Sequence, residues 1–141
     1  MQPSTIRVLV VDDFAPWQSF IERYLSAYSN VRVIGFAADA LEAVRKAEEL
    51  LPDLVLLDVG LRETSGIEAA RQIRERAPAS AILFLSNSSD PDIVSAALTA
   101  GGGGYVLKTA ATKELLAGTE AVLMGKPFLS RGLSYPIQCS L

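Results

Sequence analysis

A chain of 141 residues, 50 % of them hydrophobic, has enough apolar material for one globular domain with a real core. The formal net charge is -3, and apart from Arg71, Arg74 and Arg76 the basic residues are scattered. That argues against nucleic-acid binding by this chain itself, and the absence of histidine excludes imidazole acid–base chemistry, most zinc sites and any phosphohistidine of its own.

The single cysteine, Cys139, cannot form an internal disulfide, which favours a reducing compartment. The terminal QCSL is not a prenylation box, because only two residues follow the cysteine. No apolar run approaches the ~18 residues that span a bilayer, and no signal peptide precedes Ile6. The expectation is a soluble, cytoplasmic domain with no membrane contact.

In chain order, β-rich runs occupy residues 6–11 (IRVLVV), 31–36 (VRVIGF), 54–57 (LVLL), 81–85 (AILFL) and 104–107 (GYVL). After the first, Phe20, Ile21, Tyr24, Leu25 and Tyr28 make a helical stripe, with Pro16 at the expected first helical position. The second helix opens on a capping-box-like pair, Asp39 and Glu42, and is expected to bury Leu41, Val44, Ala47 and Leu51 before Pro52. A third runs from about Ser65 to Ala77. In the fourth, Asp90 caps, Pro91 takes the first position and Gly101 closes the end. The fifth carries Leu115, Leu116, Val122 and Leu123, and Gly125 ends it.

Strand and helix alternate five times. That predicts an α/β fold, a five-stranded parallel sheet in 2-1-3-4-5 order with helices on both faces. Residues 1–125 form this domain. The stretch 126–141 shows no sustained period and reads as an extension without a domain of its own.

In such a sheet, ligands bind at the carboxyl ends of the strands where strand order reverses. Strand 1 ends on Asp12 and Asp13 and strand 3 on Asp58, so three carboxylates should meet in one crevice. Any one of them could be a turn residue, but Asp58 follows four apolar residues and burying it uncompensated is costly. Three close carboxylates repel, and Mg²⁺, which prefers oxygen donors, resolves the repulsion. Ser86 ends strand 4 and Lys108 follows strand 5; a hydroxyl donor and a mobile cation suit phosphoryl oxygens. These parts fit phosphoryl transfer, with Asp58 as the nucleophile. A flavin-binding protein of similar topology would need a phosphate-cradling loop after strand 1, where VDDFAPW offers carboxylates instead.

VLVVDDF, LVLLDVGLRETSG, ILFLS and GYVLK, in this order and at this spacing, resemble the receiver domain of bacterial response regulators over about residues 5–125. The wording around Ile67–Ala70 and AVLMGKPFLSRGL is most similar to receivers of helix-turn-helix regulators, here without that output domain. The resemblance implies a flavodoxin-like fold and a role in a phosphorelay. Asp58 would be the phosphoacceptor, charged by a sensor histidine kinase or phosphotransfer protein. Mg²⁺ would sit on Asp13, on Asp12 largely through water, on Asp58 and on the Gly60 backbone carbonyl.

The same resemblance makes Ser86 and Lys108 the phosphoryl contacts and Tyr105 a switch aromatic that turns inward when Ser86 moves. The fourth helix, fifth strand and fifth helix would form the responsive face, binding a partner or a second copy as a homodimer. Such a chain is a signalling switch that catalyses only its own phosphorylation and dephosphorylation. Three positions depart from the family pattern: Arg62 and Thr109 where proline is frequent, and Asn87 where alanine or glycine is usual. Arg62 and Asn87 favour one alternative, a phosphorylation-independent interaction module; another is the receiver half of a DNA-binding transcriptional regulator.

Overall fold

The computed structural model describes residues 5–61 and 65–133. The strands are β1 (Ile6–Val11), β2 (Val31–Ala37), β3 (Leu54–Leu57), β4 (Ala81–Ser86), β5 (Gly104–Leu107) and β6 (Phe128–Leu129). Between them run α1 (Ala15–Leu25), α2 (Ala40–Leu50), α3 (Gly66–Arg76), α4 (Pro91–Thr99), a 3₁₀ turn (Lys108–Ala110) and α5 (Ala111–Leu123). All strand pairs are parallel, in the order β2-β1-β3-β4-β5-β6.

The sixth strand corrects the five-strand expectation. Two residues carry no period that a pattern could reveal. What fixes them is hydrogen bonding just beyond the strand. The Ser130 N–H donates to the Tyr105 carbonyl at 2.9 Å. Its hydroxyl accepts from the Leu107 N–H at 2.8 Å and donates to the Glu114 carboxylate of α5. The beginning of the extension is therefore part of the sheet.

Strand β3 lies inside, and all four of its residues are buried, which is why it reads as an unbroken apolar run. Its period of two sends Val55 and Leu57 to one face and Leu54 and Leu56 to the other. The first face packs with Leu9 and Val11 on Val44, Ala47, Ala70 and Ile73 of α2 and α3. The second packs with Val8 and Val10 on Ile21 and Leu25 of α1 and Leu115 of α5. Each fully buried aliphatic side chain contributes roughly 1.5–3 kcal/mol. These two layers hold the strand ends, and hence the site, in place.

The caps follow the sequence closely. Asp39 accepts from the Glu42 N–H at 2.8 Å, and Glu42 accepts in return from the Ala38 N–H at 2.9 Å. Ser65 caps α3 through the Ile67 N–H, and Asp90 caps α4 through the Asp92 N–H. Gly101, with φ of 119°, closes α4 in a conformation that side chains rarely adopt. Pro16 is the second residue of α1 rather than the first, equally free of a missed helical hydrogen bond, and Tyr28 lies past the helix end.

The face of α2 differs from expectation. Leu41 is 80 % exposed and Leu51 58 % exposed. The helix instead turns Ala40, Ala43, Val44 and Ala47 inward, because small residues allow close approach to the sheet and α3. Leu51 caps the helix in the left-handed conformation, φ 48°, which swings its side chain outward. The carbonyls of Leu50 and Leu51 accept from the Arg7 guanidinium at 2.8 and 2.9 Å, satisfying the helix end. Among the described residues no helix is long and apolar enough to cross a membrane.

Candidate functional site

The sheet ladder continues one residue past β1 and β3. The Asp12 N–H donates to the Ala37 carbonyl and the Asp58 N–H to the Val11 carbonyl, both at 3.0 Å. Two acids are thereby locked onto a buried sheet edge, Asp12 at 2 % exposure and Asp58 at 8 %. Carboxylate oxygens of Asp12, Asp13 and Asp58 all lie within 4.8 Å of one another. The three acids expected to meet do meet.

Lys108, in the 3₁₀ turn after β5, reaches across to them. Its Nζ donates to Asp12 Oδ2 at 2.6 Å and to Asp58 Oδ2 at 3.3 Å. The Gly60 N–H donates to Asp58 Oδ1 at 3.2 Å. Burial pushes the Asp58 carboxyl above the usual carboxylate range, with Asp12 adding to the rise. The Lys108 charge is the largest influence in the other direction, and the Gly60 N–H adds to it. A hard dication matches this donor set, oxygen ligands only with excess negative charge, and Asp12, Asp13 and Asp58 are the residues that could hold one.

Two further expected residues sit beside this centre. Ser86, at 3 % exposure, ends β4, and its Oγ accepts from the Ser88 N–H at 3.1 Å. Tyr105 is fully buried, and its phenol donates to the Ser88 carbonyl at 2.8 Å. Burial pushes this phenol up as well. The Tyr105 ring is turned inward in this structure. Asn87 is exposed, on the rim of a cleft of about 260 Å³ lined also by Phe14, Trp17, Lys108 and Thr109. Arg62 and Cys139 lie outside the described residues.

Several contributors escaped the sequence reading. The Gln18 amide donates to the Asp12 carbonyl at 2.6 Å, bracing the acid from α1. Gly66 brings α3 against Asp58 so closely that a Cβ there would lie 1.9 Å from the Asp58 carbonyl oxygen. Trp17 places its ring under Lys108, with Nζ 5.1 Å from the centroid. Only Gly66 left a trace in the sequence, as the glycine opening a helical pattern. Gln18 acts on a backbone carbonyl six residues away and Trp17 on a lysine from the other end of the domain, and neither contact follows a sequence pattern.

An open parallel sheet with an acid cluster and a lysine at its switch point is an α/β domain with polar groups gathered where such sheets bind ligands. Comparison with known proteins narrows that further. The family model for the response regulator receiver domain matches residues 8–120. The response regulator protein VraR of Staphylococcus aureus (strain Mu3 / ATCC 700698) is 40 % identical over 111 residues, 79 % of this chain and 53 % of that protein.

Among solved structures, a LuxR-family two-component response regulator from Aurantimonas sp. SI85-9A1 superposes with a TM-score of 0.86 at 35 % identity, over 91 % of each chain. The receiver domain of the putative response regulator NarL from Mycobacterium tuberculosis superposes with a TM-score of 0.82 at 30 % identity, over 88 % of this chain and 100 % of that one. The chain belongs to the response regulator receiver domain family, and it spans about half the length of the curated relatives it matches.

Proposed function

We propose that the chain is a phospho-accepting receiver in a two-component phosphorelay, with Asp58 as its nucleophile. A carboxylate oxygen of Asp58 attacks the phosphorus of a phosphohistidine on a sensor histidine kinase or phosphotransfer protein. The N–P bond breaks with its electron pair going to the ring nitrogen, the imidazole, already protonated on its other nitrogen, leaves as the neutral ring, and an acyl phosphate remains on Asp58. Mg²⁺, held by Asp12, Asp13, Asp58 and the Gly60 carbonyl, would supply neutralisation of the charge that gathers between carboxylate and phosphoryl oxygens. Lys108 offers its ammonium, and Ser86 its hydroxyl, to the transferred group. The observation that carries this reading is the Lys108 ammonium bonded at once to Asp12 and Asp58 inside a cluster of three acids.

Residues 1–125 then act as the receiver, with 126–141 as an extension, in the cytoplasm. The chain is a switch that catalyses only its own phosphorylation and dephosphorylation. Ser86 and Tyr105 relay the state of Asp58 to the face formed by α4, β5 and α5, which binds a partner or a second copy. Asn87, at the cleft rim, slows access of water to the phosphoryl group. The share of its relatives that the chain covers favours a second reading, as the receiver half of a DNA-binding transcriptional regulator. The gene sequence beyond Leu141 decides between them.

The test is intact-mass measurement after incubation with acetyl phosphate. Wild type with Mg²⁺ should gain the mass of one phosphoryl group, and Asp58→Asn should gain none. Chelating Mg²⁺ should slow the gain by about tenfold or more. A wild-type chain that stays unmodified makes it a phosphorylation-independent interaction module instead.

A further inference from the structure

Lys108 is held from three sides, and only two of them are acids. Its Nζ lies 2.6 Å from Asp12 and 3.3 Å from Asp58, and the third neighbour is the face of Trp17, 5.1 Å away at the ring centroid. The lysine side chain is only 11 % exposed, so the attraction of the ring for a cation is little weakened by water. Trp17 is the one tryptophan of the chain and stands in the first turn of α1.

The ring is braced from behind. Trp17 packs on Phe20 with centroids 4.8 Å apart, Phe20 on Tyr24 at 6.1 Å, and the Tyr24 hydroxyl donates to the Thr112 carbonyl of α5 at 3.3 Å. Meanwhile the indole Nε1 is buried with no hydrogen-bond partner among the described residues. Leaving such a donor unpaired costs stability, and leucine would fill an apolar helix face without that cost. The indole is therefore not there for its N–H. Its face is what it contributes.

That contribution matters because the two acids are shared. Any cation held by Asp12, Asp13 and Asp58 competes with the ammonium for two of the same carboxylates, and so weakens the hold of the acids on Lys108. The aromatic face is not a ligand for such an ion and stays available throughout. We propose that Trp17 is a positioning residue for Lys108, keeping the ammonium beside Asp58 when the acids turn to a metal ion. The inference rests on the receiver reading given above.

The experiment compares wild type, Trp17→Leu and Trp17→Phe, each checked for folding by circular dichroism. Two readouts apply: the rate of phosphoryl uptake from acetyl phosphate with Mg²⁺, and the affinity for beryllofluoride, a phosphoryl mimic that involves no turnover. Trp17→Leu should lose roughly 3- to 30-fold in both, and Trp17→Phe, which keeps a weaker ring face, should recover part of the loss. A double-mutant cycle on unfolding in metal-free buffer, with Lys108→Met as the second change, should show coupling of at least about threefold in the unfolding constant. The cycle stands even where Trp17→Leu is less stable.

A Trp17→Leu chain that matches wild type in both readouts, or additive behaviour in the cycle, overturns the positioning role while leaving the receiver reading intact. A wild-type chain that takes up neither phosphate nor beryllofluoride overturns the receiver reading and the proposal with it.

Discussion

A Lys108→Ala chain kept metal-free by a chelator is expected to be less stable than wild type by about 3 kcal/mol at neutral pH. The substitution removes the cation that contacts both Asp12 and Asp58, and leaves buried carboxylates facing one another. Two signatures separate this cause from lost packing. The first is metal rescue, since a dication bound only by the folded state replaces the missing charge and returns part of the stability. The second is pH dependence. The Asp58 carboxyl already lies above the ordinary carboxylate range through burial, and Lys108 is the largest influence holding it down.

Without the lysine that carboxyl rises further. The folded state then binds more protons than the unfolded chain, from the ordinary carboxylate pKa of about 3.9 up to the raised value. Stability falls as pH rises through that window. The deficit of Lys108→Ala should therefore be largest at neutral pH and shrink as pH falls toward about 4. Urea unfolding at a series of pH values reads it directly. A deficit that is independent of both pH and Mg²⁺ would assign Lys108 a packing role.

A Gly66→Ala chain should lose about 2–3 kcal/mol and take up phosphate more slowly. The added Cβ would sit 1.9 Å from the Asp58 carbonyl oxygen and 2.9 Å from its carbonyl carbon, both backbone atoms. The Gly66 N–H also donates to the Val59 carbonyl at 2.8 Å, so the start of α3 cannot retreat without breaking that bond. Either the helix or the peptide that carries Asp58 must move. Thermal unfolding checks the first effect and the acetyl phosphate reaction the second. Wild-type values in both would mean that this approach is not tight.

The central sheet was legible in the sequence because β1 and β3 are covered on both faces, so their apolar runs are nearly continuous. The meeting of Asp12, Asp13 and Asp58 was legible too, since strand order alone brings those strand ends together. Of the expected stripe Leu41, Val44, Ala47 and Leu51, only the middle two are buried, because the two large leucines at its ends weigh more in a pattern than Ala40 and Ala43, which the helix turns inward instead. The structure prefers the alanines for close approach and spends Leu51 on a left-handed cap. β6 could not be seen, being two residues held by Ser130 and Glu114. Tyr105 was visible as a candidate, but a sequence carries no rotamer. Its inward position depends on the Ser88 carbonyl of another loop. Trp17 drew no reading from the sequence, because its link to Lys108 joins residues 91 positions apart in the chain.

The proposed function requires an Asp58 carboxylate oxygen to form the new O–P bond. Borohydride reduction after acetyl phosphate treatment converts an aspartyl phosphate to homoserine, which peptide mass spectrometry can locate. The expected result is homoserine at position 58 and at no other acid. Homoserine at position 12 or 13, or a stable phosphate on Ser86 with Asp58 unchanged, would contradict it.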